Sequence, residues 1–333
     1  MQEAFNFKTI DMDKVKGIDI SKETFDVSWK ENGKSKSAVF PNNKKGFEQF
    51  FKILKAGDHC VMEASGPYYL ALAMFLHDRG VCVSVANPLS VRRFCQMHLV
   101  RTKTDKKDAA MIAMYGEKME PEIWKPEATH IMEMRDILTT LEGYEKQATI
   151  LQNQLEAEKY LPAMSKKARQ SKEKMLKTIE KEVKALNEEL QSIAKEHCGE
   201  TLGKLQTIPG IGPKTSVMLI VLTNNFNHFD DARKLSAYIG LCPRIYQSGT
   251  SVNGKGHICK IGNARARKLL YLCTWTAQKS NAQCKDLKER LELKGKPAKV
   301  IKVAMANKLL RMAFAVAKKK TDYDKNIGLK TCF

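Results

Sequence analysis

The first hundred residues alternate apolar segments of two different periods, and the order in which they come leaves few folds open. Val15–Ile20 and Phe25–Trp29 are rich in β-branched and aromatic residues, and Ser37–Phe40 returns as a third strand after Glu31-Asn32-Gly33-Lys34. The Asn-Gly pair there is the one favoured in two-residue hairpins. Asn42 or Asn43 caps a helix reaching Leu54, His59–Met62 reads as a fourth strand, and Tyr68–Arg79 reads as a second helix. Val81–Val85 gives a fifth strand before Pro88 opens another helix. This β-β-β-α-β-α-β-α order is that of a ribonuclease-H-like α/β domain, expected here over residues 10–125.

From Ile131 to about Cys198 glycine becomes scarce and Glu, Lys, Gln and Leu dominate, the composition of long helices. Leu176, Ile179, Val183, Leu186, Leu190 and Ile193 step by three and four in strict alternation, a coiled-coil seam, and Leu138, Leu141, Ala148, Leu151 and Leu155 form a looser one. Pro162 and the Lys166–Lys174 stretch separate the two helices. Residues 126–200 are therefore expected as an α-helical coiled coil, closed either as an antiparallel hairpin or between molecules. After Gly199 the chain turns helical again apart from a Gly-rich segment at Ser248–Gly262, so 201–325 are expected as a mainly α C-terminal domain. Its last helix, about Pro297–Lys318, turns Val300, Val303, Ala304, Leu309, Leu310, Phe314 and Val316 to the core.

Charge narrows the partners. The 333 residues carry 57 Lys and Arg against 37 Asp and Glu, a net charge of +20. Residues 1–120 hold 19 basic against 15 acidic residues, 121–200 hold 13 against 15, and 201–333 hold 25 against 7. The last third thus carries nearly all the excess; a polyanion whose phosphates it would neutralise, double-stranded DNA among them, is the partner it suits, and solubility alone is the other reading. A membrane surface suits it less, because the basic residues are not confined to one amphipathic helix. With no run of eighteen apolar residues and no secretory leader pattern, a cytoplasmic protein is expected. Nine cysteines without a C-x-x-C pair make neither a disulfide framework nor a zinc site, and are expected reduced and mostly buried.

Four carboxylates fall where this fold brings strand ends and one helix together. Asp19 ends the first strand in Gly17-Ile18-Asp19-Ile20-Ser21, where a charge between apolar neighbours is costly unless it is paired or liganding. Glu63 ends the fourth strand in Val61-Met62-Glu63-Ala64-Ser65-Gly66, and in this arrangement that strand runs beside the first. Asp105 and Asp108 lie three apart at the start of a helix capped by Thr104 and reaching about Tyr115, so both project from one face. Two-metal phosphodiester chemistry needs several carboxylates converging on ions about 3.5–4 Å apart, and oxygen donors select magnesium or manganese. Singly, Asp19 is equally a strand-end turn residue, and Asp105 and Asp108 equally complement a helix dipole. The four together point to a metal centre, whereas Asp26 and Asp78 fit solvent-facing positions.

These segments resemble a known family. Gly17-Ile18-Asp19-Ile20-Ser21-Lys22 with Asp26-Val27, Glu63-Ala64-Ser65-Gly66 with Tyr69, Val85-Ala86-Asn87-Pro88 and Lys103-Thr104-Asp105-Lys106-Lys107-Asp108-Ala109 look like the DEDD transposases of the insertion-sequence one-hundred-and-ten type. The resemblance covers most of the chain. It implies a RuvC-like catalytic domain, a coiled-coil dimerisation element and a C-terminal transposase domain in a bacterial or archaeal, nucleoid-associated protein. It also implies an assembly of homodimers into a tetramer and a bridge RNA that directs recombination of donor and target DNA.

In the second domain, Leu205-Gln206-Thr207-Ile208-Pro209-Gly210-Ile211-Gly212-Pro213-Lys214-Thr215 is similar to a helix-hairpin-helix motif, whose glycines admit a phosphate to backbone amides, with Lys214 close by; a plain tight turn is the other reading. Gly240-Leu241-Cys242-Pro243-Arg244-Ile245-Tyr246-Gln247-Ser248-Gly249, followed by Gly254-Lys255-Gly256-His257-Ile258-Cys259-Lys260-Ile261-Gly262-Asn263, looks like the family's most distinctive C-terminal motif. The resemblance makes Ser248 the nucleophile of a covalent phosphoserine intermediate, with Ser251 its nearest rival, and a serine needs a base or metal to activate it. Arg244, Lys255 and Lys260 are expected to stabilise phosphate charge, and Arg265, Arg267 and Lys268, opening the next helix, to contact phosphates. Thr223-Asn224-Asn225 departs from the family pattern, being neutral where an acidic residue is expected.

Other readings stay open. A junction-resolving nuclease of the same fold would hydrolyse with water and form no adduct. A non-enzymatic nucleic-acid-binding protein would use the carboxylates only to stabilise its first domain. A sugar-kinase-like ATPase shares the first strand's Gly-x-Asp but needs a Gly-rich phosphate loop that the required place lacks.

Overall fold

The structure, a computed structural model, describes residues 14–99, 104–244, 247–248, 252–253 and 256–326. The chain divides into two compact units, with the boundary between Pro126 and Glu127.

In the first unit β1 (Val15–Ile20), β2 (Thr24–Glu31) and β3 (Lys34–Pro41) form an antiparallel meander, followed by α1 (Lys44–Phe51). β4 (His59–Glu63), α2 (Leu70–His77), β5 (Cys82–Ala86), α3 (Pro88–Met97) and α4 (Asp105–Met119) complete it. The sheet order is β3-β2-β1-β4-β5, with β4 parallel to both β1 and β5. Asn32 and Gly33 supply the two positive φ angles of the hairpin turn, and pairing runs from Glu31↔Lys34 to Thr24↔Pro41. The third strand is thus longer than the expected Ser37–Phe40. Asn43 caps α1 by accepting the Gly46 N–H at 3.1 Å, and the helix ends at Phe51, short of the expected Leu54.

Alternation along β1 sends Ile18 and Ile20 to one face, packed with Phe25, Phe50, Met62 and Leu76. The other face receives Val15, Gly17 and Asp19, and there Val15 and Val61 pack with Val91 of α3 and Ile112 of α4. Gly17 explains how closely α4 approaches: a Cβ on it would stand 2.1 Å from the Ala113 N and 2.2 Å from the Ala109 O. Gly116 repeats the device from the helix side, where a Cβ would stand 2.7 Å from the Val61 Cγ2. The helix lies against the strand backbone, which lowers its first turn beside Asp19.

The second unit opens with α5 (Thr129–Ala157) and α6 (Lys166–Gln206). They run antiparallel: His130 stacks on His197 at one end, ring centroids 4.6 Å apart, and Lys172 pairs with Glu158 at the other. Ile179 and Leu190 of the expected seam are buried, with Val183, Leu186 and Ile193 partly buried beside them. α6 does not stop near Cys198 but bends there, at φ −129° and ψ 21°, and continues because Leu202 and Leu205 still face apolar neighbours.

Beyond it come α7 (Pro213–Leu222) and α8 (Ala232–Ile239). Two short ladders follow, β6 (Pro243–Arg244) with β9 (His257–Ile258) and β7 (Gln247–Ser248) with β8 (Val252–Asn253). The unit closes with α9 (Ala264–Ser280), α10 (Ala282–Leu293) and α11 (Ala298–Lys319). Composition separates residues 126–200 from 201–325, yet packing joins them: Met134, Leu138, Leu141 and Leu190 share one core with Leu219, Leu235, Leu270, Met305 and Leu309. Val300, expected in that core, is 48% exposed, because the first residues of α11 lie in solvent and burial begins at Ile301. Of the cysteines described, Cys60, Cys198, Cys273 and Cys284 are buried, Cys95, Cys242 and Cys259 are half-buried, and Cys82 is exposed. Among the described residues no helix is long and apolar enough to cross a membrane.

Candidate metal centre

Asp19 and Glu63 arrive on neighbouring parallel strands whose register pairs Ile18 with Met62, one residue before each acid. Thr104 caps α4, its Oγ1 accepting the Lys107 N–H at 3.3 Å, and so sets the first turn that carries Asp105 and Asp108. Carboxylate oxygens of Asp19, Asp105 and Asp108 all lie within 4.8 Å of one another. Glu63 stands just outside that triangle; its Oε1 accepts the Ser65 hydroxyl at 2.7 Å, and its charge still acts on Asp19. The Cys95 thiol of α3, pushed up first by burial, is pushed up further by Asp108 and then Glu63, so these two acids lie near the same point.

Burial, followed by the charges of Asp108, Asp105, Glu63 and Asp26, pushes the Asp19 carboxyl up to about 6. Among the described residues, every neighbouring charge acting on it is another carboxylate. Such a set is costly when empty and is relieved by a cation, and its all-oxygen donors suit a hard divalent ion. Asp105 is exposed while Asp19 and Asp108 are half-buried, so the cluster opens to solvent.

Asp26, expected to face solvent, belongs with this group. It pairs with Asp19 across the β1–β2 ladder, and burial and then Asp105 push its carboxyl up. The signal was available in the short turn from Ser21 to Thr24, closed by the Ser21 N–H on the Thr24 carbonyl, which pairs Ile20 with Phe25 and so sets Asp26 opposite Asp19.

In the second unit Ser248 is the last paired residue of β7, opposite Val252, while Ser251 and Lys255 lie outside the described residues. Arg244, Lys260 and Lys268 are exposed. Lys214 pairs with Glu145 at 2.5 Å. Arg265 donates from Nη1 to the Leu138 carbonyl, and Arg267 from Nη1 to the Ile239 carbonyl at 2.8 Å, so both guanidinium groups brace the helical frame. Gly210 has a packing reason of its own: at φ 104°, a Cβ on it would stand 2.7 Å from the Ala277 Cβ of α9. The neutral Thr223-Asn224-Asn225 turn is also structural. Asn224, Asn225 and Phe226 take positive φ, and the Thr223 hydroxyl donates to the Leu219 carbonyl and accepts the Phe226 N–H, which buries Phe226.

Comparison with known proteins gives this geometry its context. A transposase family model of the DEDD IS110 type matches residues 16–161, and a second, described as Transposase IS116/IS110/IS902 family, matches residues 203–289. The pilin gene-inverting protein of Moraxella lacunata is 29% identical over 322 residues, 93% of this chain and 98% of its own length. The transposase for insertion sequence element IS1111A of Coxiella burnetii is 24% identical over 344 residues, 93% of this chain and 91% of its own. The transposase for IS1328 of Yersinia enterocolitica is 33% identical over 143 residues, 41% of this chain and 42% of its own. Asp19, Asp105, Asp108 and the neighbouring Glu63 lie within the first matched segment and Ser248 within the second, and the chain belongs to the IS110 family of DNA transposases.

Proposed function

We propose that this chain cuts and rejoins DNA strands, with Asp19, Glu63, Asp105 and Asp108 holding Mg2+ or Mn2+ and Ser248 attacking the DNA. The observation that carries the reading is the approach of Asp19, Asp105 and Asp108 to within 4.8 Å at one end of the sheet. A divalent ion bound there supplies the positive charge that stabilises a phosphodiester in transfer. Ser248 Oγ bonds to phosphorus as a deoxyribose oxygen leaves, and the serine proton goes to the departing hydroxyl. A second strand's hydroxyl then reverses the exchange, so the ester is conserved and the serine restored. Inversion requires rejoining, and a relative named for gene inversion supports transfer over hydrolysis by water.

Arg244, Lys255, Lys260 and Lys268 take phosphate contacts in this reading, Lys214 joins by exchanging Glu145 for phosphate, and Arg265 and Arg267 hold the frame. The glycine turn before α7 acts as a helix-hairpin-helix element. The α5–α6 hairpin, with the seam from Leu176 to Ile193 only partly buried, serves as a coiled-coil dimerisation element for homodimers that assemble into a tetramer. Guidance by a bridge RNA rests on the family resemblance.

Denaturing gels of the purified protein with labelled element-end DNA test the chemistry. A covalent protein–DNA species is expected with the unsubstituted chain and absent in Ser248→Ala, and Asp19→Asn and Glu63→Gln are expected to slow strand transfer about a hundredfold or more. Undiminished cutting by Ser248→Ala without an adduct would identify a water-using nuclease. Full activity in Glu63→Gln would remove that acid from the metal centre.

A further inference from the structure

α9 buries Ala266, Leu270, Cys273, Thr274 and Ala277 and turns Lys268, Leu272, Trp275 and Lys279 outward, a stripe at i, i+4, i+7 and i+11. Trp275 is 52% exposed and Leu272 49%. Large apolar side chains concentrated on one exposed face mark an interaction surface. Lys302 of α11 stands over the Trp275 ring, Nζ 2.9 Å from its centroid and 5.9 Å from that of Tyr271. Among the described residues Lys268, Lys279 and Lys302 make no ion pair, in a region of 25 basic and 7 acidic residues.

A second copy of this face is a poor occupant, because a symmetric contact would set three lysines against their own counterparts. The complement is a polyanion that also offers flat apolar surfaces. Duplex DNA offers the charge, but its bases already stack on each other; a single strand offers both charge and free base faces. We propose that this face of α9 is a stacking platform for unpaired nucleotides: a base lies on Trp275, and Lys268, Lys279 and Lys302 meet the phosphates on either side. The inference goes beyond strand transfer and needs neither the acidic cluster nor Ser248.

Binding of the full chain in EDTA is measured by fluorescence anisotropy with labelled polyuridine and polythymidine about twelve nucleotides long, within the site size of one stacking module, and with a duplex. Trp275→Ala is expected to weaken both single strands by about five- to a hundredfold, the scale of one lost base stack, and to leave the duplex nearly unchanged. Trp275→Phe keeps a ring and is expected to keep most of the affinity. Unchanged single-strand binding in Trp275→Ala overturns the proposal, as does an equal loss on the duplex, or a change of oligomeric state with single-strand affinity intact. Should Trp275→Ala fail to fold, indole emission decides: the unsubstituted chain is quenched by either single strand and Trp275→Phe, which retains Trp29 and Trp124, is not. Absence of quenching in the unsubstituted chain overturns the proposal. The tighter of the two single strands names RNA or DNA as the source, and either supports the platform.

Discussion

Asp19 concentrates the energetics of the candidate centre in one carboxyl. Its folded value of about 6 lies above the ordinary 3.8, so between those values the folded chain keeps a proton that the unfolded chain has lost. Stability from the protonated acid is therefore present below about pH 4 and lost as pH rises through about 6. Asp19→Asn cannot ionise, and is expected to raise the melting temperature of the metal-free chain at pH 7 by about 2–4 °C while changing little at pH 4. Magnesium acts in the opposite sense: it is expected to stabilise the unsubstituted chain at pH 7, to lose that effect below about pH 6 as protons compete, and to leave the variant unmoved. Melts in EDTA and in magnesium across this range check both signs, and a variant less stable than the parent at pH 7 in EDTA would contradict the account. Asp26, the last contributor to the Asp19 shift, is expected to move it less when replaced by Asn than Asp105 does.

What sets the acids side by side is a contact between two elements, β1 and α4, made close by two glycines. Gly17→Ala forces a methyl into the Ala109 and Ala113 backbone, and rigid backbone cannot yield as a flexible side chain would. A cost of about 1–3 kcal/mol or more is expected in urea unfolding, together with loss of magnesium stabilisation although every acid is retained. Preserved magnesium stabilisation would show that the helix position does not govern the centre. The strands, the Asn-Gly turn, the Asn43 and Thr104 caps and the paired carboxylates were legible because each is written in a few adjacent residues. Long-range choices were not. The bend at Cys198, the inward turn of Arg265 and Arg267, and the packing of Ala277 on Gly210 depend on which helix comes to lie alongside, and nothing local encodes that. Asp26 falls between: its place follows from the hairpin register, but only once pairing is traced back seven residues to Asp19.

Over the whole molecule the division of charge predicts which unit carries the electrostatic share of nucleic-acid binding. The second unit holds the 25-to-7 excess of residues 201–333, whereas residues 1–120 are nearly balanced and use part of their charge internally, as in Lys16–Asp58 and Lys30–Glu117. Each phosphate neutralised contributes about −0.9 to the slope of log K against log salt on duplex DNA. Lys294 and Lys296 on the approach to α11, and Lys299 in its first turn, are exposed, so they are free to meet phosphates without unpicking the core. Replacing all three with Gln is expected to make the slope shallower by up to about 3, whereas the same change at exposed Lys44, Lys45 and Lys52 of the first unit is expected to alter it by less than about 1. Binding of the full chain to one duplex, followed from low to moderate salt, separates the two cases. Equal slopes for both triple variants would mean that the first unit's own surface engages the DNA backbone as strongly, and that the excess in the last third serves something other than duplex binding.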